Sequence, residues 1–199
     1  MILCAITPEF HGESYFRKVE KALSGGVDIL QYRDKLSQDT QAETVARKLQ
    51  SICNEHGTML YVDDRVKLAS DIGAYGVHVG KDDMRVKEIR ENFPGLHIGG
   101  SAYCNPQLAL ELQKEGCDYV AFGSMFHTET KKDYEKCYPE ILNLCRKQLS
   151  IPVLAIGGIS RLNASIFRDL GYSGIAVSSS IFHSEDPEEE VRKIREQIS

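Results

Sequence analysis

Hydroxyls and cations gather where the stretch G-S-M-F-H-T-E-T-K-K (123–132) leaves an apolar run, Tyr119–Phe122. Thr128 and Thr130 supply hydroxyls and Lys131 and Lys132 supply positive charge, a set suited to an anion. Taken alone, such a cluster reads as a solvated turn, so its meaning depends on what else converges with it. Arg33 can clamp a phosphate through two parallel N–H bonds, and Lys35 adds a point charge. Asp64 and Asp83 are hard oxygen ligands, and two carboxylates completed by substrate phosphate and water describe a Mg²⁺ site. Gly157-Gly158 and Ser178–Ser180 suit a second anion, held by bare backbone N–H groups and hydroxyls.

Short apolar runs carry these groups, with amphipathic segments between them. The strand-like runs are Ile2–Thr7, Asp28–Arg33, Met59–Asp64, Gly76–Gly80, His97–Ser101, Asp118–Gly123, Val153–Gly158 and Gly174–Ser179. Helical patterns follow over Ser14–Ser24, Asp39–Glu55, Val66–Ala69, Met84–Asn92, Pro106–Glu115, Pro139–Gln148, Leu162–Leu170 and Glu188–Ile198, with Asn105 as a cap for the fifth. The runs are continuously apolar rather than alternating, as in parallel strands covered on both faces. Eight strand–helix units predict an α/β chain of one domain, a (β/α)8 TIM barrel over residues 1–199. The site of such a barrel lies at the C-terminal ends of the strands, and the reactive groups fall at those ends.

Composition narrows the function classes. A net charge of −5 and a pI near 5.7, with scattered basic residues, argue against nucleic acid or an anionic membrane as partner. No apolar stretch approaches the roughly 18 residues of a membrane span, and Met1-Ile-Leu-Cys enters a strand without a signal-like segment. Six cysteines without C-x-x-C spacing read as buried or incidental thiols in a reducing cytoplasm. A homo-oligomer is compatible with the sequence. His78, within an apolar strand, reads as a wall or core histidine, and His11, His56, His97 and His183 as surface or packing residues.

The motifs Q-Y-R-D-K (31–35), V-D-D-R-V (62–66), G-V-H-V-G-K-D-D (76–83), G-G-S (99–101), D-Y-V-A-F-G-S-M-F-H-T-E-T-K-K (118–132), I-P-V-L-A-I-G-G-I (151–159) and G-I-A-V-S-S-S-I (174–181) resemble those of thiamine-phosphate synthases. The match runs in order across essentially the whole chain. The resemblance implies a (β/α)8 barrel and a transferase of thiamine biosynthesis. Such an enzyme joins 4-amino-2-methyl-5-(diphosphooxymethyl)pyrimidine to a thiazole-ethyl phosphate, giving thiamine phosphate and pyrophosphate. It further implies that Gln31, Tyr32, Arg33, Asp34, Lys35, Asp63, Ser101 and Lys131 hold the pyrimidine diphosphate. Among these, Arg33, Lys35, Ser101 and Lys131 carry the catalytic work. Thr128, Thr130, Gly158, Ser178 and Ser179 would hold the thiazole phosphate, and Asp64 and Asp83 would bind Mg²⁺.

A sister family, the thiazole tautomerases, carries a histidine where this chain has Ser124, and resembles the chain least at Asp83. A tautomerase-like isomerase and a non-catalytic barrel that binds a thiamine precursor are the alternatives. This chain departs from the synthase pattern at Asp63, usually Asn, and at Lys81, usually Gln. The expectation is that Lys81 offsets the extra carboxylate. The loop Ala102-Tyr103-Cys104-Asn105 replaces the usual Thr-His-Asn, the glycine usual after Lys132 is missing, and His127 has no assigned role.

Overall fold

The structure, a computed structural model, describes residues 1–9, 12–127 and 136–199. Eight strands close into a barrel in sequence order: β1 (Ile2–Ile6), β2 (Ile29–Tyr32), β3 (Met59–Asp63), β4 (Gly76–Val79), β5 (His97–Tyr103), β6 (Tyr119–Phe122), β7 (Val153–Ile156) and β8 (Gly174–Val177). Every neighbouring pair is parallel, and β1 pairs with β8 to complete the ring.

Period two divides each strand between two cores. Leu3, Ala5, Leu30, Tyr32, Leu60, Val62, Val77, Ile98, Val120 and Ile175 face outward into the layer shared with the helices. Cys4, Ile6, Ile29, Tyr61, Tyr119, Ala121, Leu154 and Ala176 form a separate core inside the barrel. Large and small residues alternate there. A Cβ at Gly76 would lie 2.6 Å from Tyr61 Cε1, and one at Gly99 would lie 2.1 Å from Tyr119 Cζ. These two positions stay bare so that two tyrosine rings can cross the interior.

The outer layer contains α1 (Glu13–Ser24), α2 (Asp39–His56), α3 (Val66–Asp71), α4 (Val86–Asn92), α5 (Pro106–Glu115), α6 (Ser165–Asp169), α7 (Ser179–Phe182) and α8 (Pro187–Ile198). Asn105 caps α5, its side chain accepting from the Leu108 N–H at 3.1 Å.

Two helices differ from expectation. The segment expected as a helix over Pro139–Gln148 is a 3-10 turn over Pro139–Leu144. Leu142 and Cys145 are buried three residues apart while Leu144 is exposed, a spacing that suits three residues per turn. The helix expected from Leu162 is regular only from Ser165. Asn163 ties itself back to the Ser160 N–H at 2.9 Å and the Gly158 carbonyl at 3.0 Å, competing with a first α-turn. Helix α7 had no counterpart in the sequence pattern.

Candidate active site

A cavity of about 600 Å³ opens at the C-terminal ends of the strands. Strand parity decides which motif residues reach it. Gln31, Arg33 and Lys35 follow the inward phase of β2 and line the cavity, whereas Tyr32 and Asp34 follow the outward phase and do not. Tyr32 Oη donates to Asp34 Oδ2 at 2.8 Å, and Asp34 Oδ1 accepts from the N–H groups of Leu36 and Ser37 at 3.1 and 2.9 Å. Burial works against the charge of Asp34, but the bonds from Ser37, Tyr32 and Leu36 outweigh it and hold the carboxyl below its ordinary range. Tyr32 and Asp34 therefore shape the turn that launches α2, and the expectation that they contact substrate does not match their placement.

Glu9, just beyond β1, organises the cations. Its Oε1 lies 3.0 Å from Arg33 Nη1 and its Oε2 accepts from the Lys35 N–H at 3.3 Å. Thr7 Oγ1 accepts from the Arg33 N–H at 3.1 Å. The Lys35 ammonium turns to Asp64, with Nζ to Oδ2 at 2.9 Å, and this bond raises the lysine pKa.

Asp64 leaves β3 in the left-handed region, at φ 63°, a conformation that aspartate tolerates better than most residues. Its own N–H donates to the His78 carbonyl at 2.9 Å. The adjacent Arg65 does not neutralise it, because that guanidinium pairs with Asp39 and donates to the Ser37 carbonyl at 2.8 Å. Asp83 Oδ2 accepts from the Gly80 N–H at 2.7 Å. Burial pushes the Asp83 carboxyl up, the Gly80 N–H opposes this, and the neighbouring Asp64 carboxylate pushes it further. Two hard carboxylates placed so that one raises the cost of ionising the other suit a divalent cation, whose charge relieves it. Among the described residues no group of three or more His, Cys, Asp or Glu side chains forms a metal cage. An ion held here would take its remaining ligands from water and substrate, as Mg²⁺ commonly does.

Asp63, one residue earlier, points into the barrel and is buried. Its Oδ1 has no hydrogen-bond partner among the described residues. Burial first, then the Asp64 charge, push its carboxyl well above the ordinary range, against the pull of Gln31, Arg33 and Lys35. A carboxyl raised in this way carries less negative charge at a given pH than an ordinary aspartate, which lessens what Lys81 has to offset. Lys81 is exposed at the rim, and its N–H donates to Tyr103 Oη at 3.1 Å.

The opposite rim is built from β7, β8 and the loop after β6. Gly157, Gly158, Ser178 and Ser179 line the cavity, and Ser180 turns away to donate to Glu190 Oε1 at 2.8 Å. Gly157 and Gly158 have φ of 105° and 62°. The N–H groups of Met125 and Phe126 donate to the Ile156 and Gly157 carbonyls at 2.9 and 3.1 Å, bringing the two loops together. A Cβ at Gly157 would lie 2.0 Å from Ser124 Oγ, so this approach requires glycine. Thr128, Thr130, Lys131 and Lys132, like His11, lie outside the described residues. His127 is exposed.

Ser101 lines the cavity on β5, together with His78 and Tyr103. Sequence reasoning gave Glu9 and Tyr103 no role. Glu9 offered only its position after a strand, and Tyr103 lay in a loop that departs from the usual pattern.

Comparison with known proteins follows the same lines. The family model for thiamine monophosphate synthase matches residues 3–181. A thiamine-phosphate synthase of Thermoplasma acidophilum is 42% identical over 193 residues, covering 97% of this chain and 90% of that protein. One of Picrophilus torridus is 40% identical over 196 residues, covering 98% and 96%. The solved structure of a thiamine phosphate pyrophosphorylase from Pyrococcus furiosus superposes with a TM-score of 0.88 at 32% identity, covering 99% of this chain and 95% of that one. With its closed barrel and two sets of polar groups facing one cavity, this chain belongs to the thiamine-phosphate synthase family.

Proposed function

We propose that this chain is a thiamine-phosphate synthase that joins an aminopyrimidine-methyl diphosphate to a thiazole-ethyl phosphate, releasing pyrophosphate. The observation that carries this reading is the division of one cavity into two polar sides. Arg33, Lys35, Asp64 and Asp83 stand on the β2–β4 side, and Gly157, Gly158, Ser178 and Ser179 stand on the β7–β8 side. Ile6, Ala121, Ile156 and Ala176 provide apolar surface between them.

On this reading Arg33, Lys35 and Ser101 receive the diphosphate, and Gln31 hydrogen-bonds the pyrimidine end. Asp64 and Asp83 hold Mg²⁺, which when bound neutralises charge developing on the departing diphosphate. The bond from the pyrimidine methylene carbon to oxygen breaks, both electrons leave with pyrophosphate, and the ring stabilises the resulting benzylic-type cation. The thiazole nitrogen then supplies the electron pair for the new C–N bond. No protein nucleophile is required, and positioning two substrates across the cavity supplies much of the acceleration. By resemblance, Lys131 joins the cations around the leaving group, and Thr128 and Thr130 join Gly158, Ser178 and Ser179 at the thiazole phosphate.

The tautomerase alternative gains no support from Ser124. That side chain is buried and donates to the Phe126 carbonyl at 2.9 Å. A cytoplasmic setting is proposed from the six free cysteines. Among the described residues no helix is long and apolar enough to cross a membrane. Pyrophosphate release that requires Mg²⁺ and both substrates together tests the function; release without the thiazole phosphate would count against it.

A further inference from the structure

Three neighbouring strands place His78, Gly99 and Tyr119 in one row of the barrel interior, with His78 paired to Gly99 and Gly99 paired to Tyr119. Because Gly99 has no side chain, the residues on either side of it meet across the gap. Tyr119 Oη lies 2.8 Å from His78 Nδ1, and His78 Nε2 lies 2.9 Å from Ser101 Oγ. The result is a continuous polar chain from the barrel interior to the cavity wall.

The direction of the chain follows from donor and acceptor accounting. Burial pushes the Tyr119 hydroxyl well above its ordinary range, so it keeps its proton. Its Oη meets no other hydrogen-bonding partner among the described residues, and a buried O–H is rarely left without an acceptor. It therefore donates to His78 Nδ1. A neutral imidazole that accepts at Nδ1 carries its proton on Nε2. That N–H donates to Ser101 Oγ, and the Ser101 proton then turns away from the wall and into the cavity.

We infer that His78, set in one tautomer by Tyr119, is a positioning residue that fixes Ser101 as a hydrogen-bond donor toward an acceptor atom of the pyrimidine diphosphate. The serine would otherwise choose between donating to the wall and donating to the ligand. The polar chain removes that choice before substrate arrives, which is preorganisation of a hydroxyl at a binding site. The identity of the ligand rests on the function proposed above; the direction of the chain does not.

The test has a ligand-free arm and a kinetic arm. Nitrogen-15 NMR of histidine-labelled protein is expected to show His78 protonated at Nε2 and bare at Nδ1; the reverse tautomer would overturn the inference. Glutamine can keep a donor near Nε2, whereas asparagine keeps only an acceptor near Nδ1. His78→Gln is thus expected to retain kcat/KM for the pyrimidine diphosphate within about 3-fold, and His78→Asn to lose about 10- to 100-fold, the range of a hydrogen bond to a charged group. In a Ser101→Ala background His78→Asn is expected to cost nothing further, with KM for the thiazole phosphate unchanged. Additive losses, or equal losses in the two histidine variants, would contradict the role. Should His78→Asn not fold, Tyr119→Phe takes its place, with a mixed tautomer and a smaller loss expected and an unchanged tautomer contradictory. If the wild-type protein forms no thiamine phosphate, the proposed function fails separately. Calorimetric affinity for Mg²⁺-pyrophosphate in the same variants then decides the inference, with the same pattern expected.

Discussion

Lys35 Nζ lies 2.9 Å from Asp64 Oδ2, so the cation assigned to the diphosphate and the carboxylate assigned to the metal form one ion pair. Both side chains are partly exposed, at 52% and 28%, so water screens the attraction and either partner can be released by a ligand. The pair is a contact that Mg²⁺ and diphosphate together would replace.

Removing the lysine separates its two effects. Lys35→Met frees Asp64 and is expected to tighten binding of Mg²⁺ alone several-fold, while lowering kcat/KM for the diphosphate by about 10-fold or more. Calorimetry and steady-state kinetics on one preparation check both signs. Weaker Mg²⁺ binding in the variant would show that Lys35 does not compete for Asp64.

The raised Asp83 carboxyl gives metal binding a pH dependence. A cation must displace the proton, so Mg²⁺ affinity is expected to rise with pH up to the Asp83 pKa and then level off. Asp83→Asn is expected to flatten the profile and to abolish most turnover. Calorimetric titrations from the ordinary carboxylate range upward in pH measure this dependence.

Asp63 has a consequence for stability. Its folded pKa is raised, so between the ordinary carboxylate range and the raised value the folded state binds more protons than the unfolded one. Stability contributed by this group is present below the unfolded pKa and is lost as pH rises through that window. Asp63→Asn removes the loss. Its gain in Tm is expected to grow from acidic to neutral pH without divalent cation, and a gain largest in acid would contradict a raised Asp63 carboxyl.

Gly99→Ala probes the packing of the interior. The added Cβ would lie 2.1 Å from Tyr119 Cζ, a clash with a ring that cannot leave its row. Overpacking of this kind costs about 1–3 kcal/mol. Urea unfolding measures that cost, and the displaced ring should also disturb the His78 tautomer signal.

Much of this molecule is written in its apolar pattern. Eight continuous runs separated by amphipathic segments are enough for a parallel barrel, and the strand ends then locate the site. Resolution within the site is where the sequence falls short. Gln31 to Lys35 read as one motif, yet period two sends Gln31, Arg33 and Lys35 inward and Tyr32 and Asp34 outward. That division is available from alternation alone. The upward shift of the Asp63 carboxyl is not, because it depends on burial by several strands. The meeting of His78 with Tyr119 depends on strand register and on the gap at Gly99, which no local pattern encodes. The shortened α6 reflects competition by the Asn163 side chain, a balance that helix periodicity does not report.

The most direct measurement mixes the protein with Mg²⁺, the pyrimidine diphosphate and the thiazole phosphate, and follows products by phosphorus NMR and chromatography. Thiamine phosphate and pyrophosphate are expected in equal amounts, with both lost in Asp83→Asn or after chelation of the metal. Binding of both substrates without either product would contradict the proposed function.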